Sequence, residues 1–128
     1  MSVQANCLIA NFGDKDPTNP VDGGHYPVPS CFADTQAVSP GDLLLLVCWG
    51  GHKGLSGDAW GLGTVTNKVE EEGGLVIQYR YIAFGSPIGR TATTNGLAPL
   101  EAKRFTVPHC KANWLIGIAP SSFQRIVR

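Results

Sequence analysis

Gly41 to Thr66 reads GDLLLLVCWGGHKGLSGDAWGLGTVT, and the reading of this stretch decides the fold. Leu43 to Val47 form an unbroken apolar run that ends at Trp49. A glycine-rich connection carrying His52 and Lys53 follows, and apolar residues resume in alternation from Trp60. Short apolar runs bounded by glycine are strands rather than helices, and two such runs across a glycine-rich turn read as an antiparallel pair. Trp60, Leu62, Thr64 and Thr66 are expected on one face of the second strand, with Gly61, Gly63, Val65 and Asn67 on the other. Small residues such as Gly61 and Gly63 mark a place where another backbone or a ligand comes close.

Upstream, Ala5 to Phe12 (ANCLIANF) reads as a short buried strand ending at a cluster of turn residues. Gly13 to Pro40 contains five of the nine prolines and three glycines, which excludes a long regular element and fits a binding loop or a cover over a barrel mouth. A helical turn capped by Ser30 is expected near Ser30 to Ala37. Downstream, Glu70 to Gly74 make a charged hairpin turn into the strand Leu75 to Phe84, where Leu75, Ile77, Tyr79, Tyr81 and Ala83 share one face. Gly85 to Pro99 reads as a loop, and Ala102 to Val107 and Asn113 to Ile118 as further strands. Pro120-Ser121-Ser122 opens a terminal helix that turns Phe123, Ile126 and Val127 inward.

The 128 residues are the size of one domain, residues 1–128, able to bury about two-thirds of the surface of the unfolded chain. With 43% apolar and 16% charged residues, 16 Gly and 9 Pro, the composition is that of a turn-rich, mainly β protein with short helices. Five or six short strands joined by hairpins describe a small mixed or antiparallel β-barrel closed by a short C-terminal helix. Ten basic residues balance ten acidic ones, so a polyanion would be gripped locally rather than by a broad field. Most of the positive charge, including Arg80, Arg90, Lys103 and Arg104, lies in the C-terminal half. Cys7 and Cys48 sit inside apolar runs, as buried free thiols do. No apolar run approaches the ~20 residues that span a bilayer, and the N-terminus lacks the pattern of an export signal. A soluble, cytoplasmic protein without a membrane partner is the expectation.

The order of these segments resembles that of the PUA-like β-barrel superfamily, and within it the EVE domains and the related YTH domains. The resemblance is carried by CLIANF as opening strand, PGDLLLLVCWGG and WGLGTVT as central pair, VIQYRYIAF as the next strand and SSFQRIV as closing element, about half of the chain. Gly41-Asp42 and Gly61-Leu62-Gly63-Thr64-Val65 stand where EVE-like proteins carry a GD turn and a glycine-containing strand. The proline-rich Gly13 to Pro40 replaces the helix these families carry after the first strand. The resemblance implies a reader of DNA or RNA that holds a modified or flipped-out base between aromatic rings, working without cofactor, metal or covalent chemistry. By position, Asn11 and Phe12, Trp49 and Trp60 would line the pocket, and His52 and Lys53 would reach sugar or phosphate.

Other readings of the same residues compete with this one. Trp49 and Trp60 also suit a core or barrel rim, and Trp114 the core. GGHKGLSG lacks the spacing of a phosphate-binding P-loop. Cys48, His52, His109 and Cys110 can be assembled into a zinc site on paper, but neighbours on a strand such as His109 and Cys110 face opposite ways. Cys31, His25, His109, Asp22 and Asp58 supply the residue types of a nucleophile–base–orienter set without its local signatures. The alternative function is therefore a small-molecule-binding barrel or small enzyme with Gly13–Pro40 as its lid and His25 or Cys31 facing the cavity. Convergence of Arg80, Arg90, Lys103 and Arg104 beside the two tryptophans would separate the nucleic-acid reading from that one. The oligomeric state is left open by the sequence.

Overall fold

The computed structural model describes residues 5–11, 25–29, 38–49, 55–71, 74–105 and 114–127. These form β1 (Cys7–Asn11), β2 (His25–Pro29), β3 (Leu43–Cys48), β4 (Asp58–Glu71), β5 (Gly74–Ile88), α1 (Arg90–Gly96), α2 (Pro99–Phe105), β6 (Trp114–Ile118) and α3 (Pro120–Val127). The six strands make one mixed sheet in the order β2-β5-β4-β3-β1-β6. β1 and β3 are parallel and every other pair is antiparallel.

The parallel pair is the centre because its residues are apolar on both faces. All five residues of β1 are buried, as are Leu44 to Cys48 of β3. One side of the sheet gathers Leu8, Ala10, Leu44, Leu46, Val65 and Ile77, with no helix among the described residues. The other side gathers Cys7, Ile9, Leu45 and Val47 under Leu97, Phe105, Phe123 and Ile126 of the helical segment. The edge strands β2 and β6 come into contact with one another, so the sheet curls around its helix-free face. Among the described residues no ladder joins those edges, and the structure is a curled open sheet with a C-terminal helix rather than a closed barrel.

β2 lies within the proline-rich segment, as an edge strand where Pro27 and Pro29 cost no central ladder hydrogen bonds. The helical turn expected at Ser30 to Ala37 lies outside the described residues. Two readings are corrected. Part of the stretch expected to be a loop, Gly85 to Pro99, extends β5 to Ile88 and then forms α1. Ala102 to Phe105, expected to open a strand, belong to α2. Pro99 occupies the first helical position of α2, and the Glu101 carboxylate turns back to accept from Ala98 N at 2.9 Å, half of a capping box.

The same carboxylate accepts from Ala119 N at 2.6 Å and from the Ser122 hydroxyl at the start of α3, so one side chain caps two helices. Burial pushes the Glu101 carboxyl up. The hydrogen bonds from Ser122, Ala119 and Ala98 and the charge of Arg125 outweigh burial and hold it below its ordinary value. α3 buries Phe123 and Ile126 with Val127 partly buried beside them, as its spacing predicts. Ile126 packs where a β-carbon on Gly96 would sit, and Arg125 Nε donates to Gly96 O at 3.0 Å, which ties α3 to α1.

Candidate functional site

β1 and β3 run in the same direction, so Asn11, Cys48 and Trp49 all arrive at one end of the sheet. β4 begins there at Asp58, opposite Cys48, and β5 is level with this end at Ile88, opposite Ala59, whereas Ala83 pairs with Gly61 and Tyr81 with Gly63, farther along the sheet. The buried Asn11 fixes this rim: its Oδ1 accepts from Trp49 N at 2.9 Å, which satisfies a backbone donor just beyond the end of β3. Gly57 N donates to Cys48 O at 2.8 Å and brings the chain back into β4. Three of the residues expected to line a pocket, Asn11, Trp49 and Trp60, therefore do share one end of the fold.

They do not share one face. Trp49 belongs with the helix-covered cluster and Trp60 with the helix-free one. The reason is a bulge: Leu46 pairs with Gly61 and Val47 with Ala59, leaving Trp60 as an extra residue in β4. The bulge resets the alternation, so Trp60 groups with Val65 rather than with Leu62, which packs on the helix side. This corrects the expected strict alternation of β4. Gly61 is needed for the new geometry, because a β-carbon there would stand 2.8 Å from Ile82 O. The close approach expected at this glycine is that of a neighbouring backbone.

On the helix side, the Trp49 ring is already occupied. Phe105 packs at 5.2 Å between centroids, the Arg90 guanidinium lies 5.6 Å over the ring, and a β-carbon at Gly57 would fall 2.7 Å from it. Gly57 has φ +83°, and Asp58 accepts from Ser56 N at 3.2 Å and from Arg90 N at 2.8 Å. Trp49 Nε1 is enclosed without a hydrogen-bond partner among the described residues. Trp49 is thus a packed pillar that carries Arg90.

On the helix-free side, Trp60 meets Tyr81 edge to face at 5.6 Å, and Tyr81 meets Tyr79 at 5.9 Å. Both separations and tilts are those favoured by aromatic quadrupoles. Trp60 and Tyr79 are each 3% exposed and Tyr81 is 36% exposed, so two buried rings support one that reaches solvent. Burial, and then the neighbouring Tyr81, push the Tyr79 hydroxyl well above the ordinary tyrosine value, which keeps it neutral. Tyr79 and Tyr81 were legible as residues on one face of a strand, but their meeting with Trp60 depends on the bulge.

Phe12, His52 and Lys53 lie outside the described residues, as do Asp22, Cys31, His109 and Cys110. Among the described residues no three His, Cys, Asp or Glu side chains are grouped to hold a metal ion. Cys7 and Cys48 are buried. Burial, and secondarily the charge of Asp42, raise the Cys7 thiol above its ordinary value. No described helix is long and apolar enough to cross a membrane. An open, largely apolar cavity of about 320 Å³ lies at the opposite end of the sheet, between Cys7 and Leu43 of the strands and Pro120, Phe123 and Val127 of α3. The sequence matches no known protein-family model and no curated protein.

Proposed function

We propose that this chain is a non-enzymatic recognition module for nucleic acid, DNA or RNA, that holds an unpaired or flipped-out base, including a modified one, at the Trp60–Tyr81–Tyr79 wall. The observation that carries this reading is Tyr81, a solvent-reaching ring that packs within 6 Å of two buried ones, Trp60 and Tyr79, on one face of a curled sheet. An exposed tyrosine braced by two buried rings offers a stiff surface at low entropic cost, and stacking one base on such a surface is worth about 1–3 kcal/mol. Extracting a base from a duplex costs a few kcal/mol, so one such ring favours bases that are unpaired, mismatched or modified.

The curl of the sheet and its C-terminal helix agree with the PUA-like, EVE-type architecture that the order of sequence segments resembles. Recognition of this kind uses no cofactor. We place it in the cytoplasm, where cysteines buried in apolar strands, such as Cys7 and Cys48, stay reduced.

The test is fluorescence anisotropy with labelled single-stranded DNA and RNA, with and without base modifications. Saturable binding that Tyr81→Ala weakens about tenfold supports the reading, in line with the loss of one stacked base. Absence of saturable binding, or binding indifferent to Tyr81→Ala, contradicts it. Affinity for a small metabolite alone would move the function to the alternative of a small-molecule barrel or small enzyme.

A further inference from the structure

The zero net charge conceals a separation along the chain. Residues 1–72 contain three basic and nine acidic residues, whereas residues 73–128 contain seven basic residues and one acidic, Glu101. The latter part also supplies α1, α2 and α3, and these helices, which cover one face of the sheet, carry four of the seven: Arg90, Lys103, Arg104 and Arg125. Glu101 and Asp58, the carboxylates next to this layer, already accept backbone hydrogen bonds, Glu101 at the starts of α2 and α3 and Asp58 from Ser56 and Arg90.

Part of this charge is gathered at the rim. Arg90 stands over Trp49, and Phe105, on the other contact of that indole, belongs to the last turn of α2. Lys103 and Arg104 are exposed on the same turn. Their charges also complement the negative end of the helix dipole, which stabilises them where they are. A guanidinium resting on an indole keeps its planar fork of donors in one orientation, and such a fork matches a phosphate.

We propose that Arg90, Lys103 and Arg104 form a phosphate-binding edge on the helix side of the rim, gripping the backbone of the strand whose base enters on the Tyr81 side. This rests on the nucleic-acid reading above and assigns it a second surface. The base and its backbone then contact opposite faces of the sheet, with Trp60 linking the Tyr81 wall to the rim and Trp49 as the support of the backbone side.

The experiment compares the salt dependence of single-stranded oligonucleotide binding in the wild-type chain, the triple variant Arg90→Gln/Lys103→Gln/Arg104→Gln, and the control Lys68→Gln, which lies towards the far end of β4. Loss of three phosphate contacts lowers the slope of log K against log salt by about 2. Lys68→Gln is expected to leave the slope unchanged. Arg90→Lys, which keeps the charge and loses the planar fork, is expected to keep the slope and weaken binding several-fold, and it guards against misfolding of the triple variant. An unchanged slope in the triple variant, or an equal fall in Lys68→Gln, overturns the assignment. Absence of oligonucleotide binding at low salt also overturns it, whereas titration with uncharged nucleosides tests the base-stacking wall separately.

Discussion

Gly41-Asp42 precedes β3 and Gly57-Asp58 opens β4, at opposite ends of the same strand pair. Both glycines have positive φ, +95° and +83°, and in both pairs the aspartate accepts backbone N–H groups. Asp42 takes Asn6 N at 3.0 Å and Ser39 N at 2.8 Å, and Asp58 takes Ser56 N and Arg90 N. The surroundings differ. Nothing lies within 4 Å of where a β-carbon on Gly41 would be, whereas Gly57 is pressed by Trp49 and Arg90. Asp42 is 4% exposed and joins the starts of β1 and β3, while the hydrogen bonds of Asp58 are exposed. One local solution thus serves as a buried anchor at one end and as a seat for Trp49 and Arg90 at the other.

The comparison breaks most readily at Gly57. Gly57→Ala adds left-handed strain to a clash with an indole, and a loss of about 3–4 kcal/mol is expected in denaturant unfolding, together with a change in tryptophan fluorescence. Next comes Asp42→Ala, which strands the backbone donors of Asn6 and Ser39 and is expected to cost about 2–3 kcal/mol in the same assay. Gly41→Ala bears conformational strain alone and should cost about 1–2 kcal/mol. A loss at Gly41 as large as at Gly57 would remove the distinction between the two ends.

Glu101 extends the comparison to a third carboxylate, one that caps two helices. Its carboxyl is held below the ordinary value of 4.5, so its contribution is fully present above that pH and lost as pH falls through the lower, folded-state value. The expected result is a stability profile for wild type that drops more steeply below pH 4.5 than that of Glu101→Gln, measured by thermal unfolding across pH. Parallel profiles would show that the carboxylate is not the common cap.

The backbone of the fold was legible where burial dictates it. Leu43 to Cys48 and Cys7 to Asn11 are apolar on both faces and could only be central strands, and the spacing of Phe123 and Ile126 declared α3. The helix α1 was hidden because its sequence RTATTNG is a poor helix former. It is held instead by Asp58 accepting from Arg90 N at its first turn, and by Gly96 against Ile126. α2 was hidden by the apolar spacing of Ala102, Phe105 and Val107, although Pro99 and Glu101 carry helix-start signals. The aromatic residues were visible and their partition was not, because a one-residue bulge at Trp60 moves a side chain across the sheet without marking the sequence.

The measurement that tests the central claim most directly is quenching of intrinsic tryptophan fluorescence by nucleosides in Trp49→Phe and Tyr81→Ala variants. Trp49→Phe gives up no hydrogen bond among the described residues, which makes it a mild control for the packed side of the rim. The account predicts saturable quenching that survives Trp49→Phe, because Trp60 reports it, and disappears in Tyr81→Ala. Quenching abolished by Trp49→Phe and retained in Tyr81→Ala would contradict the account and place the ring-binding surface on the helix side.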